Sequence, residues 1–461
     1  MIFPQIFHVT SHTDHVGQGT TFVVVAGMKE HGEKYIPVAL EKGAGTIVIE
    51  KTCELSAEIN EKIKKYNAVV IRVENARKAL AELSAQAYNY PAKKLKIIGI
   101  TATKGKTTTT FLTEHALAQA GYKTAMLSSV HNKIGTTILP TTLTTRQPDY
   151  LHAFFAECVK QNVEYVVMEV AAQAMSLYRV HGIEFDAVIF MNFAQEHAEF
   201  YASYDDYFIA KASIIKYAKP NAPVILCKND ARIASLASHT SNPVIYEQPT
   251  PDDTHDSLKG INVRHHDIWY QCSALCGNYN ASNMIAALEI LKALNIQAFP
   301  HIFENFAGVP GRLTKYVLPN GATAFLDYAH NPSSYQALLS TLRNYTNDLI
   351  VVFGCGGGKD PLKRPVMGSI AAQYANKLII TSDNPRYEDP AIIVGDILKG
   401  ILQEDMTKVY CELNRSKAIQ KAYEISCNES IIAILGKGLE EYQEIMGIKH
   451  YYCDAHEVAA L

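Results

Sequence analysis

A turn rich in lysine and threonine stands between an apolar run and an apolar helical pattern, and it has the composition of a phosphate-binding loop. From Gly99 onward it reads GITATKGKTT. Backbone N–H groups of such a turn, with the helix N-terminus that follows, can surround phosphate oxygens. Lys106 is then expected to neutralise phosphate charge, and the Thr107 hydroxyl to bind Mg²⁺. Five residues rather than the four of a strict Walker A loop separate Gly99 from Gly105, but the position between strand and helix favours phosphate binding over an ordinary helix start.

Three further polar residues interrupt or follow apolar segments. Glu169 ends the run YVVME, and His197 follows the next apolar run, so both are expected at the carboxyl edge of a parallel sheet, where ligands bind. Lys211 lies in the helical pattern YFIAKASII, with aromatic or aliphatic residues three and four positions away on both sides, which places it on the apolar face. Burial of a lysine favours its neutral amine. Taken singly, each residue also has an ordinary interpretation, as a hydrogen-bonded strand end or as a lysine whose ammonium reaches solvent.

Short apolar runs alternate with helical patterns along most of the chain, which is typical of an α/β fold with parallel sheets. We expect three domains, at residues 1–90, 91–311 and 312–461. The Pro/Asp-rich stretch from Gln248 to Asp256 is predicted to be a surface excursion. The expected strands are Thr21–Ala26, Thr46–Glu50, Val69–Val73, Lys96–Thr101, Tyr165–Val170, Asp186–Asn192, Val224–Lys228, Ala324–Tyr328, Leu349–Gly354, Lys377–Ser382 and Ile431–Gly436.

Length, charge and cysteine usage narrow the class of protein. The chain has 461 residues, too many for one hydrophobic core. Its formal net charge of −3 gives no overall field for nucleic acid or an anionic membrane. The nine cysteines lack the spacing of a zinc or redox motif and indicate reduced thiols. No segment is suited to export or to spanning a membrane, so we expect a cytoplasmic protein without nucleic-acid or membrane partners. We also expect a monomer.

The loop from Thr101 to Thr108, TATKGKTT, resembles the TGTNGKTT loop of the Mur ligase family. The resemblance continues in register over nearly the whole chain and is closest to the MurE type. It implies an N-terminal domain that binds the acceptor, a central P-loop-type parallel-sheet domain that binds ATP and Mg²⁺, and a C-terminal Rossmann-like domain that binds an amino acid. It also implies ATP-dependent ligation through an acyl-phosphate, adding meso-diaminopimelate or a similar amino acid to UDP-MurNAc-L-Ala-D-Glu. Such a reaction belongs to peptidoglycan biosynthesis, and thereby to the cell wall, cell shape and cell division.

The resemblance assigns roles to residues of the nucleotide and metal sites. Asparagines of the block GNYNASN, the arginine of VPGR and two residues of DYAH are expected to contact the nucleotide, together with the loop. The implied nucleotide site is Thr103, Lys104, Gly105, Lys106, Thr107, Thr108, Asn280, Asn283, Arg312, Asp327 and His330. Catalysis or metal binding is implied for Lys106, Thr107, Glu169, His197 and Lys211, the last as a carbamate formed with CO₂.

Two other blocks, GCGGGKDPLKRPVM and DNPR, resemble MurE segments that accept meso-diaminopimelate. Arg364 and Arg386 are expected to bind its distal carboxylate, and Glu440 its distal ammonium. Lysine lacks that carboxylate and is expected to be disfavoured, because unpaired arginine charges cost about 1–3 kcal/mol. The implied substrate contacts are Thr144, Thr145, Arg179, Arg364, Asp383, Asn384, Pro385, Arg386, Gly436 and Glu440.

The chain departs from the family pattern mainly on the acceptor side. Thr13 and Asp14 stand where the family has a Ser-Arg pair that contacts uracil, and the family's Ser-Ser-His after the metal-binding glutamate is Ala-Ala-Gln here. Ala102 replaces a glycine of the loop. Two alternatives therefore stay open: a related ligase with a different, non-UDP carboxylate acceptor, and a nucleotide-binding scaffold without catalysis. The DNPR and Arg364 blocks argue against a third, the folylpolyglutamate synthetase type.

Overall fold

The structure is a computed structural model that describes residues 3–27, 32–194 and 200–461. The chain folds into two compact units. One consists of Met1–Gln248 and Asn283–Ile302, and the other of Pro249–Ser282 and Phe303–Leu461. Among the described residues, no helix has the length and apolar character that crossing a membrane requires.

The first unit begins with a four-stranded parallel sheet in the order β1-β2-β3-β4. Its apolar side chains pack against the helices that connect the strands, with Phe22, Leu40 and Ile47 almost completely buried. The elements are β1 Val9–Thr10, β2 Thr21–Val23, α1 Ile36–Glu41, β3 Thr46–Glu50, α2 Ala57–Lys65, β4 Val69–Val73 and α3 Ala76–Ala87.

The second sheet of this unit has eight strands in the order β12-β11-β10-β5-β9-β6-β7-β8. Strands β12 to β6 in that order are parallel, and β7 and β8 are antiparallel. The central strands are buried on both faces, which explains their continuous apolar sequences. The elements are β5 Lys96–Thr101, α4 Lys106–Gln119, β6 Thr124–Leu127, β7 Asn132–Ile134, β8 Thr137–Leu139, α5 Pro148–Lys160, β9 Tyr165–Glu169, α6 Ala172–Ser176, β10 Ala187–Phe190, α7 Tyr204–Ala212, β11 Val224–Cys227, α8 Ala231–Ser235 and β12 Pro243–Tyr246.

The second unit contains a small antiparallel sheet, a six-stranded sheet and a hairpin. The six-stranded sheet has the order β16-β17-β21-β18-β19-β20 and is parallel except for β16. The segments that contain the DYAH, GCGGGKDPLKRPVM, DNPR and Gly436–Glu440 residues lie at or after the carboxyl ends of β17, β18, β19 and β21. The elements from here to the C-terminus are β13 Thr254–Ser257, β14 Gly260–His265, β15 Ile268–Cys272, α9 Asn278–Ala293, β16 Thr314–Val317, β17 Thr323–Asp327, α10 Pro332–Arg343, β18 Leu349–Phe353, α11 Lys363–Tyr374, β19 Lys377–Ile380, α12 Pro390–Leu398, β20 Val409–Cys411, α13 Arg415–Glu424, β21 Ile431–Leu435, β22 Tyr442–Ile445, β23 Ile448–Tyr451 and α14 Asp454–Ala459.

The α/β class and the parallel sheets are confirmed, and three predicted strands have the expected bounds: Thr46–Glu50, Val69–Val73 and Lys96–Thr101. The strand predicted over Thr21–Ala26 is shorter, ending at Val23. None of the residues from Gln248 to Asp256 is buried, as expected of a surface excursion, but its end is not irregular: Thr254–Ser257 is a strand that pairs with β14. Its polar sequence THDS gave no apolar signal for a strand. The proposed domain boundaries stay a prediction.

Candidate active site

The predicted phosphate loop joins the carboxyl end of β5 to the start of α4. Gly105 precedes the helix with φ +84°, and a Cβ at this position would lie 2.2 Å from Oδ1 of Asn283. Asn192, which follows β10, holds the loop: its Oδ1 accepts hydrogen bonds from the backbone N–H groups of Thr103 (3.1 Å) and Lys104 (2.9 Å). Its Nδ2 donates to the Lys104 carbonyl oxygen at 2.9 Å. Asn192 thus braces the loop, and a side chain at position 105 would require Asn283 to move and would adopt a φ that favours glycine.

Two lysines meet at one backbone oxygen of this loop. The ammonium of Lys106 lies 2.9 Å from the carbonyl oxygen of Ala102, and that of Lys211 lies 2.8 Å from the same oxygen. Lys211 is only 2% exposed, and its Nζ is also 4.8 Å from the ring centre of Tyr207. The predicted burial of Lys211 is therefore correct, and α7 brings it directly beside the loop.

Three oxygen-bearing side chains converge at the start of α4. The Glu169 carboxylate, 1% exposed at the end of β9, accepts hydrogen bonds from the Thr107 hydroxyl (3.2 Å), the Ser129 hydroxyl (3.3 Å) and the Ser129 backbone N–H (2.8 Å). The hydroxyl oxygens of Thr107 and Ser129 are 2.9 Å apart. Thr108, the next residue of the helix, is 8% exposed. One carboxylate and two hydroxyls form an all-oxygen donor set, which is the kind of set that Mg²⁺ prefers.

Two of the residues predicted to contact the acceptor, Thr145 and Arg179, lie at the turn that follows Glu169. The buried Thr145 hydroxyl donates to the carbonyl oxygen of Glu169 at 2.9 Å and accepts from the N–H of Ala171 at 3.0 Å, so it fixes the turn after β9. Arg179 donates to the Thr145 carbonyl oxygen at 2.9 Å. Burial lowers the pKa of Arg179, and the nearby charge of Arg77 lowers it further. Thr144 is half-buried.

The other residues expected at the nucleotide surround the end of β17, except Asn280 on α9. The Asp327 carboxylate accepts hydrogen bonds from the N–H groups of Leu313 and Ala329, each at 2.8 Å. Burial raises the pKa of Asp327, and the charge of Arg312 opposes this shift. His330 Nδ1 lies 2.9 Å from the carbonyl oxygen of Tyr328. Asn280 is 4% exposed and donates to the Cys276 carbonyl oxygen.

The DNPR segment follows β19 and forms a polar network with the loop after β21. Asn384 Nδ2 donates to Glu440 at 2.7 Å, while the buried Lys437 ammonium lies 3.1 Å from Asn384 Oδ1 and 3.5 Å from an Asp383 carboxylate oxygen. A Cβ at Gly436, which has φ +109°, would lie 2.7 Å from Asp383 Oδ2. Asp383, Asn384 and Pro385 are buried, so this network forms the floor of the predicted amino-acid site.

Arg364, which the sequence predicts to bind a substrate carboxylate, is paired within its own chain, and its role at a substrate stays a prediction. Arg364 is 2% exposed, and its two terminal nitrogens donate to Glu388 (2.8 Å) and Asp396 (3.0 Å). Its charge is already compensated by two carboxylates of the chain, so it joins α11 to α12. Arg386 is also paired: its Nε lies 3.1 Å from a carboxylate oxygen of Glu444.

Sequence reasoning missed Ser129, Asn192 and Glu444. Each reaches its partner through the fold and not through a motif, since Ser129 is 40 residues and Glu444 is 58 residues from the side chain it contacts. The position of Asn192 after an apolar strand was the one available signal, and it resembled the signal that pointed to Glu169. His197 lies outside the residues that the structure describes, so its predicted role stays a prediction.

Three family profiles match the chain in order. The Mur ligase family, catalytic domain, matches residues 5–88; the Mur ligase middle domain matches 100–291; and the Mur ligase glutamate ligase domain matches 311–438. Together they cover most of the sequence, including the phosphate loop and the DNPR segment.

Curated relatives and solved structures agree with these profiles. A UDP-N-acetylmuramoyl-L-alanyl-D-glutamate--2,6-diaminopimelate ligase of Clostridium botulinum is 34% identical over 96% of this chain and 92% of its own length. A solved ligase of the same description is 25% identical with a TM-score of 0.66, covering 99% of this chain and 94% of that one. The Thermotoga maritima MurF ligase, solved in complex with ADP, is 16% identical with a TM-score of 0.64 over 94% of this chain and 95% of its own, and shares the fold. This chain belongs to the Mur ligase family and has its three-domain architecture.

Proposed function

We propose that this chain is an ATP-dependent ligase of the MurE type, which joins the D-glutamate carboxylate of UDP-MurNAc-L-Ala-D-Glu to an amine of meso-diaminopimelate. The product is a peptidoglycan precursor, which connects the enzyme with the cell wall, cell shape and cell division. We propose a cytoplasmic monomer whose partners are these small molecules. ATP and Mg²⁺ complete the reactants.

The observation that supports the proposal most strongly is that several charged side chains lie close together at the start of α4. Lys106 and Lys211 share the carbonyl oxygen of Ala102, and Glu169 lies within hydrogen-bond distance of the Thr107 hydroxyl. The Lys106 ammonium and the Glu169 carboxylate thus flank one glycine-bearing turn at a helix N-terminus, with the Lys211 side chain beside them, and this arrangement suits a magnesium–triphosphate.

Thr107, Ser129 and Glu169 are the residues proposed to hold Mg²⁺, since all three offer oxygen. Lys211, as a carbamate, and His197 are proposed as further ligands, as the family resemblance implies. When bound, the ion offsets negative charge on the phosphoryl oxygens.

The remaining chemistry follows from the charges. The acceptor carboxylate attacks the γ-phosphorus of ATP, so that an acyl-phosphate and ADP form while Lys106 stabilises the phosphoryl oxygens. The amine of the amino acid then attacks the acyl carbon, giving a tetrahedral intermediate. That intermediate expels phosphate and loses a proton from nitrogen, which leaves the amide.

Roles on the two substrates are proposed as follows. Arg179 and Thr144 are proposed to contact the acceptor, while Thr145 positions Glu169 and the residues after it. In the amino-acid site, Arg386 is proposed to bind the distal carboxylate and Glu440 the distal ammonium. Asp383, Asn384, Pro385 and Gly436 shape that site. The proposed nucleotide contacts in the first unit are Thr103, Lys104, Gly105, Thr108 and Asn283. Those in the second unit are Asn280, Arg312, Asp327 and His330.

The test is phosphate release from ATP with UDP-MurNAc-L-Ala-D-Glu and meso-diaminopimelate, compared with reactions that lack one or the other. Release that needs both substrates supports the proposal. No release under any condition would favour the scaffold, and release only with a non-nucleotide carboxylate would retain the ligase but exclude the UDP acceptor.

One observation favours a different acceptor as the second candidate. Asp14, at the position where the family places an arginine near uracil, is largely exposed and lies 3.6 Å from the Lys42 ammonium. Lys42 also donates to the Thr13 carbonyl oxygen at 2.9 Å. A carboxylate and a lysine present different donors and acceptors from a Ser-Arg pair, so a panel of UDP-linked and non-nucleotide carboxylates is the measurement that separates the candidates.

A further inference from the structure

The arginine of the DNPR segment is already paired with a carboxylate of its own chain. Arg386 Nε lies 3.1 Å from Oε2 of Glu444, and both side chains are partly buried, with exposed fractions of 27% and 22%. Nη1 of Arg386 donates to the Gly357 carbonyl oxygen at 2.6 Å. Of the five N–H groups of a guanidinium, three therefore remain for a ligand, but the charge they present is compensated.

The backbone holds this pair together independently of the two side chains. The Arg386 N–H donates to the Glu444 carbonyl oxygen at 3.0 Å, and the Met446 N–H donates to the Arg386 carbonyl oxygen at 2.7 Å. The Glu444 N–H donates to Asn384 Oδ1 at 2.9 Å. Strand β22 thus runs beside the DNPR segment, so a substitution of the Glu444 side chain leaves these backbone bonds in place.

The pairing of Arg386 with Glu444 changes the free-energy difference between binding amino acids with and without a distal carboxylate. If Arg386 had no partner in the chain, a diamino acid without a distal carboxylate would leave a partly buried guanidinium unpaired, and the site would disfavour that amino acid. With Glu444 in place, the guanidinium stays paired whether or not the distal carboxylate is present. The distal carboxylate of a diamino dicarboxylate would also be repelled by the negative charge of Glu444.

We propose that Glu444 is a specificity-determining residue that weakens the preference of this site for a diamino dicarboxylate over a diamino monocarboxylate such as L-lysine. The inference rests on the proposed function and deepens it. It assigns to the hairpin β22–β23 a part in selecting the amino acid.

The experiment measures kcat/KM for meso-diaminopimelate and for L-lysine with ATP and UDP-MurNAc-L-Ala-D-Glu. Glu444→Gln keeps an oxygen that can accept from Arg386 Nε and removes the charge. It is expected to raise the ratio of the two kcat/KM values about tenfold, chiefly through a lower KM for meso-diaminopimelate. Glu441→Gln is the matched control, since Glu441 is an exposed carboxylate next to the same hairpin and is expected to leave the ratio unchanged.

An unchanged or smaller ratio in Glu444→Gln would overturn the inference while the wild-type activity still supports the proposed function. An equal rise in Glu441→Gln would also overturn it, since the effect would then be one of net charge. If Glu444→Gln does not fold, Glu444→Ala removes the same charge and has the same expected result. A wild type with no amino-acid-dependent phosphate release overturns both the function and the inference.

Discussion

The carbonyl oxygen of Ala102 is a single atom on which two of the candidate catalytic residues meet. Lys106 reaches it from the start of α4 and Lys211 from α7. Because Lys211 is 2% exposed, its place beside the loop is fixed by packing and not by a flexible side chain at the surface. The proposed carbamate of Lys211 would therefore form next to the phosphates.

Lys211→Ala tests this placement. Phosphate release is expected to collapse and to return partly when a short-chain carboxylate such as acetate is added, because a free carboxylate can replace the missing oxygen donor. Lys216→Ala, an exposed lysine just beyond the same helix, is the control and is expected to keep its activity. Unchanged turnover in Lys211→Ala would remove the residue from the metal site.

Gly105→Ala tests the requirement for glycine in the loop. The added Cβ would lie 2.2 Å from Asn283 Oδ1 at a φ of +84°, so we expect the affinity for ATP to fall at least about tenfold. Gly182→Ala is a control with a similar φ of +78° and no atom within 4 Å of the new Cβ. It is expected to lose about 1 kcal/mol of stability and to bind ATP normally; ATP binding that is equally weak in both variants would contradict the account.

The role of a single residue can be predicted from the sequence only where the neighbouring residues in the chain indicate its surroundings in the fold. Glu169 and Lys211 were predictable because one ends an apolar strand and the other interrupts an apolar helix face. The partners of Arg364 and Arg386 were not. Glu388 and Glu444 lie among other polar residues, and the apolar helix pattern around Asp396 does not indicate which basic residue it meets. Pairing of that kind depends on tertiary structure.

Helices α13 and α14 are joined by a completely buried ion pair near the end of β21. Arg415 donates to both carboxylate oxygens of Asp454, each at 2.7 Å, and to the carbonyl oxygen of Leu435 at the end of β21 at 3.0 Å. Arg415→Met would leave the Asp454 carboxylate buried without its partner. The free energy of unfolding, measured in urea, is expected to fall by about 3–5 kcal/mol, and Arg415→Met with Asp454→Leu in one chain should recover part of it. A loss below 1 kcal/mol would contradict the structural role.

Helix α5 contains a buried histidine that makes the stability depend on pH. His152 is 1% exposed, and burial lowers its pKa from 6.5 to about 4. The unfolded chain takes up a proton near pH 6.5 and the folded chain only near pH 4, so stability falls as the pH falls through this range, by up to about 3 kcal/mol. Urea unfolding at pH 7.5 and pH 4.5 is expected to show this loss in the wild type and a smaller one in His152→Phe. Equal losses would exclude His152 as a cause.

Whether a strand could be predicted depended on how continuous its apolar sequence is. Strands such as Lys96–Thr101 were predicted to the residue, because burial on both faces requires an unbroken apolar run. The sheet β13–β15 was not. Strand β13 is entirely polar, β14 mixes apolar with polar residues, and one exposed face leaves only a weak alternation.

The whole chain has a net charge of −3, so its overall charge does not attract ATP, which is itself negatively charged. The positive groups that could bind ATP are therefore concentrated at the phosphate loop, and the oxygen donors for Mg²⁺ lie beside them at the start of α4. The family architecture was predictable because the ordered blocks extend along the chain. The acceptor was not, since the residues that differ from the family pattern alter that side of the chemistry.

The most direct test of the account is the magnesium dependence of ATP binding, measured by calorimetry with and without Mg²⁺. The wild type is expected to bind ATP at least about tenfold more tightly with Mg²⁺, and Glu169→Gln to lose that gain. Glu164→Gln, an exposed carboxylate just before the other end of the same strand, should keep it. Equal affinity of the wild type for ATP with and without Mg²⁺ would contradict the central claim that Glu169 and the loop hold a magnesium–triphosphate.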